Sequence, residues 1–157
     1  MPIKTILVPT DFSDNAHVAF EKAFDLAGQL GAKLHLLHVQ NESTLRMAIK
    51  EGLLRDDSTD EELQVEIARI IEERCSKILV GCDIPGVPIE HLSRRGEPEV
   101  VIPRYAREIN ADLVVVGLRG AGLSGLIQSA VMGSIAESLL RKSPCPVMVV
   151  RLDHGKS

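Results

Sequence analysis

The residues most able to do chemistry lie between Asp112 and Val150. An apolar run, Leu113 to Val116, leads into a loop with glycines at 117, 120, 122 and 125. Gly133-Ser134 then opens an amphipathic segment, and Val147 to Val150 forms a second apolar run. Gly117, directly after a strand, lets the backbone come close to a ligand, and Gly120 can take a positive φ that turns N–H groups inward. Gly133-Ser134 at a helix start supplies free N–H donors, a hydroxyl and the positive end of the helix dipole. Arg119 adds a charge-assisted contact. The combination suits an anion, most simply the phosphates of a nucleotide. The alternative is a surface loop that ends in a serine-capped helix.

Other chemistries find less support. A dinucleotide fold requires GxGxxG after the first strand, where this chain has PTDFSD. The terminal Gly155-Lys156-Ser157 lacks the upstream glycine and following helix of a phosphate-binding P-loop. His17, His35, His38, His91 and His154 form neither HExxH nor a Cys/His cluster. His35 and His38, three apart in a strand, face opposite sides and cannot share a metal, so structural roles are expected. Gly122-Leu123-Ser124-Gly125 is one residue short of a GxSxG elbow, and no pattern points to a Ser-His-Asp triad. Cys75, Cys82 and Cys145 are odd in number and far from CxxC spacing, as expected of free core thiols.

A phosphate loop needs a sheet to hold it. Ile3 to Val8 reads as a buried strand stopped by Pro9. Asp11, Ser13 or Asp14 can cap the following helix, about Asn15 to Leu30. Ala16, Ala19, Phe20, Ala23, Phe24, Ala27 and Leu30 form its apolar stripe, and Gly31 is placed for a left-handed cap. Lys33 to Val39 is a second strand, completing a right-handed βαβ unit. Residues 40–60 are the least legible: Leu45, Met47, Ile49, Leu53 and Leu54 hint at a short helix, and 56–60 at a turn and cap. A helix from about Glu61 to Val80 buries Leu63, Ile67, Ile70, Ile71 and Ile78, and Gly81 and Pro85-Gly86 end it. Val87 to Arg95 is a weaker strand, placed at an edge by Pro88. Pro98 suits the first turn of the next helix. Either that helix starts at Pro98 and Pro103 kinks it, or the regular helix starts near Pro103, and the segment ends near Asn110. With Leu113–Val116 and Val147–Val150 this makes five strands separated by helical segments, a doubly wound parallel sheet. Three places at the carboxyl ends of its strands can take a ligand: Pro9-Thr10-Asp11, Val39-Gln40 and the glycine loop.

Composition narrows the partners. A net charge of −4 argues against a phosphate-backbone binder, and 3% aromatic residues leave no stacking platform for single strands. Nucleic acid is therefore not expected. No apolar run approaches a membrane span and the N-terminal stretch lacks a signal peptide's core, so no membrane partner and a reducing, cytoplasmic setting are expected.

Taken in order, PTDFS, LLHV, the GEP turn, VVVGLRG and GSIAESLLRKSPCPVMVV resemble the universal stress protein family over about Ile3 to Arg151. The resemblance implies one domain over 1–152, with 153–157 as a tail. Its fold would be a three-layer α/β sandwich with a five-stranded parallel sheet of order 3-2-1-4-5, like the adenine-nucleotide alpha-hydrolases. It implies a homodimer through the last strand, about Val147 to Arg151. One branch binds ATP through G-x2-G-x9-G-[ST]. Carried onto this sequence, Pro9, Thr10 and Asp11 would flank the nucleoside and Val39 would meet the adenine edge. Gly117 would approach the ribose, Val116 would be among the binding residues, and Arg119, Gly120, Gly133, Ser134 and Ile135 would hold the phosphates. The ligand would be ATP, or AMP or ADP, with Mg2+ nearest Asp11 or Ser134.

The expected role is regulatory stress response, not dedicated catalysis, with any ATP hydrolysis slow and incidental. An enzyme of the adenylate-forming or ATP-pyrophosphatase type would show SGGxDS after strand one, and PTDFSD is not that. One departure bears on the ligand: twelve residues, not nine, separate Gly120 from Gly133. Three extra residues are nearly one helical turn. They either bulge within Ala121 to Gly125 or lengthen the helix and displace its start, and retention of Asp11 and Gly133-Ser134 favours the bulge. The competing function is a dimer that binds no nucleotide and acts through protein contacts.

Overall fold

The computed structural model describes residues 2–41, 49–52, 60–80, 86–118 and 132–151. Five parallel strands form one sheet: β1 (Thr5–Thr10), β2 (Lys33–Gln40), β3 (Ile89–Arg95), β4 (Leu113–Gly117) and β5 (Val147–Val150), in the order β3-β2-β1-β4-β5. Helices α1 (Asp14–Leu30) and α2 (Asp60–Leu79) cover one face, and α3 (Pro98–Glu108) and α4 (Ser134–Lys142) cover the other. The expected sandwich and strand order are both present.

Strand alternation divides the core in two. Ile6, Val8, Leu34, Leu36 and Val115 point towards Ala19, Phe20 and Ala23 of α1 and Ile67, Ile70 and Cys75 of α2. Leu7, Leu37, Val114 and Val116 point towards Ile102 and Tyr105 of α3 and Leu139 of α4. Each such fully buried side chain stabilises the fold by about 1.5–3 kcal/mol. Continuous apolar strands thus have the cause anticipated from the sequence: helices on both faces.

Local signals explain the limits of α1. The Ser13 hydroxyl accepts from the Ala16 N–H at 3.2 Å, and Gly31 closes the helix at φ 65°. Leu30, expected on the buried stripe, is instead 49% exposed, because it is the terminal residue beyond the last core contact at Ala27. β3 begins at Ile89, two residues later than expected. Pro88 accepts from the Leu34 N–H at 2.9 Å but has no N–H to return. α3 starts at Pro98 and continues through the buried Pro103, which resolves the alternatives in favour of a start at Pro98.

The expected end of β1 is also corrected: the strand runs through Pro9 to Thr10. Lys4 C=O accepts from Lys33 of β2, whereas Thr5 C=O accepts from Asp112 at the start of β4. By alternation Pro9 faces the β4 side, and there the β1–β4 ladder comprises only Ile6↔Leu113 and Leu7↔Val114. The missing N–H of Pro9 therefore costs no ladder bond. Expectations for Leu45, Met47, Leu53, Leu54, residues 56–59, Gly81, Cys82, Pro85 and His154 lie outside the described residues.

Candidate functional site

The short β1–β4 ladder marks the place where the chain direction across the sheet reverses. β1 keeps pairing with β2 as far as Thr10↔His38, and β4 keeps pairing with β5 as far as Gly117↔Val150. Between β1 and β4, pairing ends at Leu7↔Val114. A crevice at the carboxyl ends of the strands follows from this geometry, and it is where doubly wound sheets bind ligands. Pro9 contributes to it physically, since it cannot donate a hydrogen bond towards β4.

Four of the expected site residues lie on one face of the sheet. Val39 and Val116 are buried in the cluster beneath α3 and α4, and Ile135 packs against the same cluster. Pro9 lies on that face by alternation with Leu7. Thr10 and Gly117 fall on the opposite face, towards α1.

The loop between β1 and α1 is tied together by its own side chains. Thr10 Oγ1 accepts from the Phe12 N–H at 3.1 Å, and Asp11 Oδ1 accepts from the Ser13 N–H at 2.9 Å. With the Ser13 cap, these bonds fix consecutive peptide units and place Asp11 at the mouth of the crevice strand. Phe12 takes a left-handed conformation at φ 64°, unusual for a residue with a Cβ.

Gly117 packs against the first turn of α1. A Cβ there would stand 2.8 Å from the Asn15 carbonyl oxygen and 2.9 Å from its carbonyl carbon. The glycine is required by close packing of α1 on the end of β4, whatever else it meets.

The start of α4 is anchored to the end of β4. The Gly133 N–H donates to the Leu118 carbonyl at 2.7 Å, and Leu118 N–H donates to Val150 C=O at 2.9 Å. Gly133 is the N-cap, and its carbonyl accepts the first helical bond, from Glu137. The N–H groups of Ser134, Ile135 and Ala136 consequently have no acceptor within the helix. The chain leaves at Leu118 and returns at Gly133 to one hydrogen-bonded point, so the three extra residues do not lengthen α4 at its start. Arg119, Gly120 and the segment Ala121 to Gly125 lie outside the described residues.

The histidines of β2 face opposite sides, as expected. His35 is buried beside Tyr105, with Nδ1 3.1 Å from the tyrosine oxygen, and burial lowers its pKa although Glu90 opposes this. His38 lies on the other face, its Nδ1 3.3 Å from Ser93 Oγ. Burial pushes its pKa down to about 4, against the field of Asp11. Both rings are therefore neutral near pH 7. Cys75 is buried and its thiol is pushed up to about 11, which makes it a poor nucleophile. Among the described residues no group of three or more His, Cys, Asp and Glu side chains could hold a metal. The arrangement offers backbone donors, one carboxylate and an apolar wall, which are the parts of a binding site. Sequence reasoning gave no role here to Phe12 or Arg74; only the positive φ and the ring contacts bring them in.

Comparison with known proteins agrees with this geometry. Residues 2–151 match the model of the Universal stress protein family. The chain is 32% identical over 151 residues to universal stress protein YxiE of Bacillus subtilis, spanning 93% of this chain and 97% of that protein. Universal stress protein UspA from Lactobacillus plantarum has a similar structure, with a TM-score of 0.73 at 25% identity over 96% of this chain and 99% of the other. A universal stress protein in complex with cAMP gives a TM-score of 0.59, also at 25% identity, over 96% and 98% of the two chains. Among the described residues no helix is long and apolar enough to cross a membrane.

Proposed function

We propose, from the premise that this chain belongs to the universal stress protein family, that it binds an adenine nucleotide at the β1–β4 crevice and acts as a regulatory module. The observation that carries this reading is the Gly133–Leu118 hydrogen bond. It holds the donor-rich start of α4 at the end of β4 despite the longer glycine loop. Val39, Val116, Ile135 and Pro9 offer an apolar surface to a base, and Asp11 offers a carboxylate to a ribose. The N–H groups of Ser134 and Ile135 suit phosphate oxygens. The similar protein in complex with cAMP supports the adenine class.

In this reading Arg119 and Gly120 complete the phosphate contacts, and Mg2+ brought by ATP is held near Asp11 or Ser134. ATP, ADP and AMP share the nucleoside contacts and differ in how much of the α4 start they engage. In the same reading the module is regulatory and not a dedicated enzyme, with any ATP hydrolysis slow and incidental. Residues 1–152 act as one cytoplasmic domain. It pairs with a second copy through β5, whose Met148 is 36% exposed.

Ser134 supplies a clean test, because it is exposed and its hydroxyl bonds to no other side chain among the described residues. Ser134→Ala is expected to weaken AMP and ATP binding about tenfold, the size of one hydrogen bond to a charged group. Its melting temperature should match that of the wild type. Equal affinity in the two proteins would remove Ser134 from the site. The twelve-residue Gly120–Gly133 spacing favours a second reading, a dimer that acts through protein contacts without nucleotide. Mass analysis of gently purified, then denatured protein separates the two: released adenine nucleotide supports the first, and its absence after saturation with AMP and gel filtration supports the second.

A further inference from the structure

Phe12 holds a left-handed backbone at φ 64°, a conformation that costs a residue with a Cβ free energy unless its surroundings enforce it. Three elements enforce it. The Phe12 ring stacks on His38 of β2 with centroids 4.8 Å apart and planes 23° apart. The Arg74 guanidinium of α2 stands over the same ring at 5.7 Å, and Glu51 holds that guanidinium by an ion pair of 2.9 Å. The Phe12 N–H is held by Thr10 Oγ1. His38 is itself fixed, being 2% exposed and within hydrogen-bond reach of Ser93 on β3.

The neighbours in sequence are what give this stack a consequence. Phe12 follows Asp11, and His38 precedes Val39, so one ring contact joins the two residues proposed to flank the nucleoside. The stack lies on the α1/α2 face, behind the apolar wall formed by Val39 and Val116. We infer that the Phe12–His38 stack is a positioning element of the nucleotide site, locking the β1–α1 loop onto the end of β2 and fixing Asp11 relative to Val39. This inference rests on the nucleotide reading above. Neither ring needs to touch the ligand. Burial keeps His38 uncharged near neutral pH, so the contact persists between two neutral rings despite the nearby charges of Asp11 and Arg74.

The test compares AMP affinity by calorimetry in the wild type, Phe12→Gly and Phe12→Tyr, at a temperature where each is fully folded. Glycine accepts φ 64° without strain and removes the ring while adding backbone freedom, so His38→Gln, which leaves the loop backbone unchanged, is measured beside it. Tyrosine keeps the ring. Phe12→Gly is expected to bind about tenfold more weakly, since a loosened loop no longer holds Asp11 in place. Phe12→Tyr is expected to restore most of that loss, which a general packing defect would not do. If Phe12→Gly does not fold, His38→Gln carries the comparison alone, because the amide can still reach Ser93 while the stacking surface is gone. A folded Phe12→Gly or His38→Gln variant that binds within twofold of the wild type overturns the inference and leaves the nucleotide reading intact. Equal weakening in Phe12→Gly and Phe12→Tyr overturns it as well. A wild type that binds no AMP overturns both.

Discussion

Gly117→Ala is expected to destabilise the protein by about 2 kcal/mol, and Gly117→Val by about 3 kcal/mol or more, in the absence of any nucleotide. The added Cβ would lie 2.8 Å from Asn15 O and 2.9 Å from Asn15 C. Both are backbone atoms, so no side-chain rotation can relieve the clash. Either α1 backs away from the sheet or β4 shifts, and both movements disturb a packed interface. The first turn of α1 is also the turn capped by Ser13, next to Asp11. For a chain of this length, 2 kcal/mol corresponds to a fall of about 4–8 °C in melting temperature. Thermal unfolding of the nucleotide-free variants measures this directly. A melting temperature within a degree of the wild type for Gly117→Val would mean that ligand approach, not helix packing, requires the glycine.

Acid should weaken the fold through His38, by an amount that can be isolated. In the unfolded chain its pKa is near 6.5, and in the folded protein burial holds it at about 4. The unfolded state therefore takes up the proton first as pH falls. Stability linked to this group is complete above about pH 6.5 and is lost progressively towards pH 4, by about 3 kcal/mol in all. Asp11 from the β1–α1 loop favours the protonated ring and Arg74 from α2 disfavours it, and burial outweighs both. Other groups titrate in the same range, among them His35, whose pKa is also lowered. The expected result is thus a difference. Denaturant unfolding of the wild type should lose about 3 kcal/mol more than His38→Gln between pH 7 and pH 4. Parallel stability curves for the two proteins would show that His38 accepts a proton in the folded state as easily as in the unfolded one.

Much of the fold was legible because its signals are local. The stripe on α1, the Ser13 cap and the Gly31 stop are each decided by a few adjacent residues, and they lie where the sequence places them. β5 and the edge position of β3 follow from apolar runs and Pro88 in the same way. What was not legible depends for the most part on what lies across the sheet. Pro9 was read as a stop, yet it faces the side where β1 and β4 no longer pair, and there a missing donor is harmless. Gly117 was read as room for a ligand, and nothing in the sequence showed that Asn15 of α1 also packs against it. The contact between Phe12 and His38 joins residues 26 positions apart through a left-handed backbone, which no periodicity or composition announces. Where α4 starts relative to β4 likewise depends on a contact that the sequence does not announce, the hydrogen bond from Gly133 to Leu118.

The central claim is that this member of the family retains an adenine-nucleotide site. Titration calorimetry of the nucleotide-free wild type with AMP, and with ATP in the presence of Mg2+, tests it most directly. The expected result is saturable heat at about one nucleotide per chain, with affinity reduced in Ser134→Ala. No heat from either nucleotide across temperatures that would expose a cancelling enthalpy, together with no rise in melting temperature at millimolar nucleotide, would contradict it.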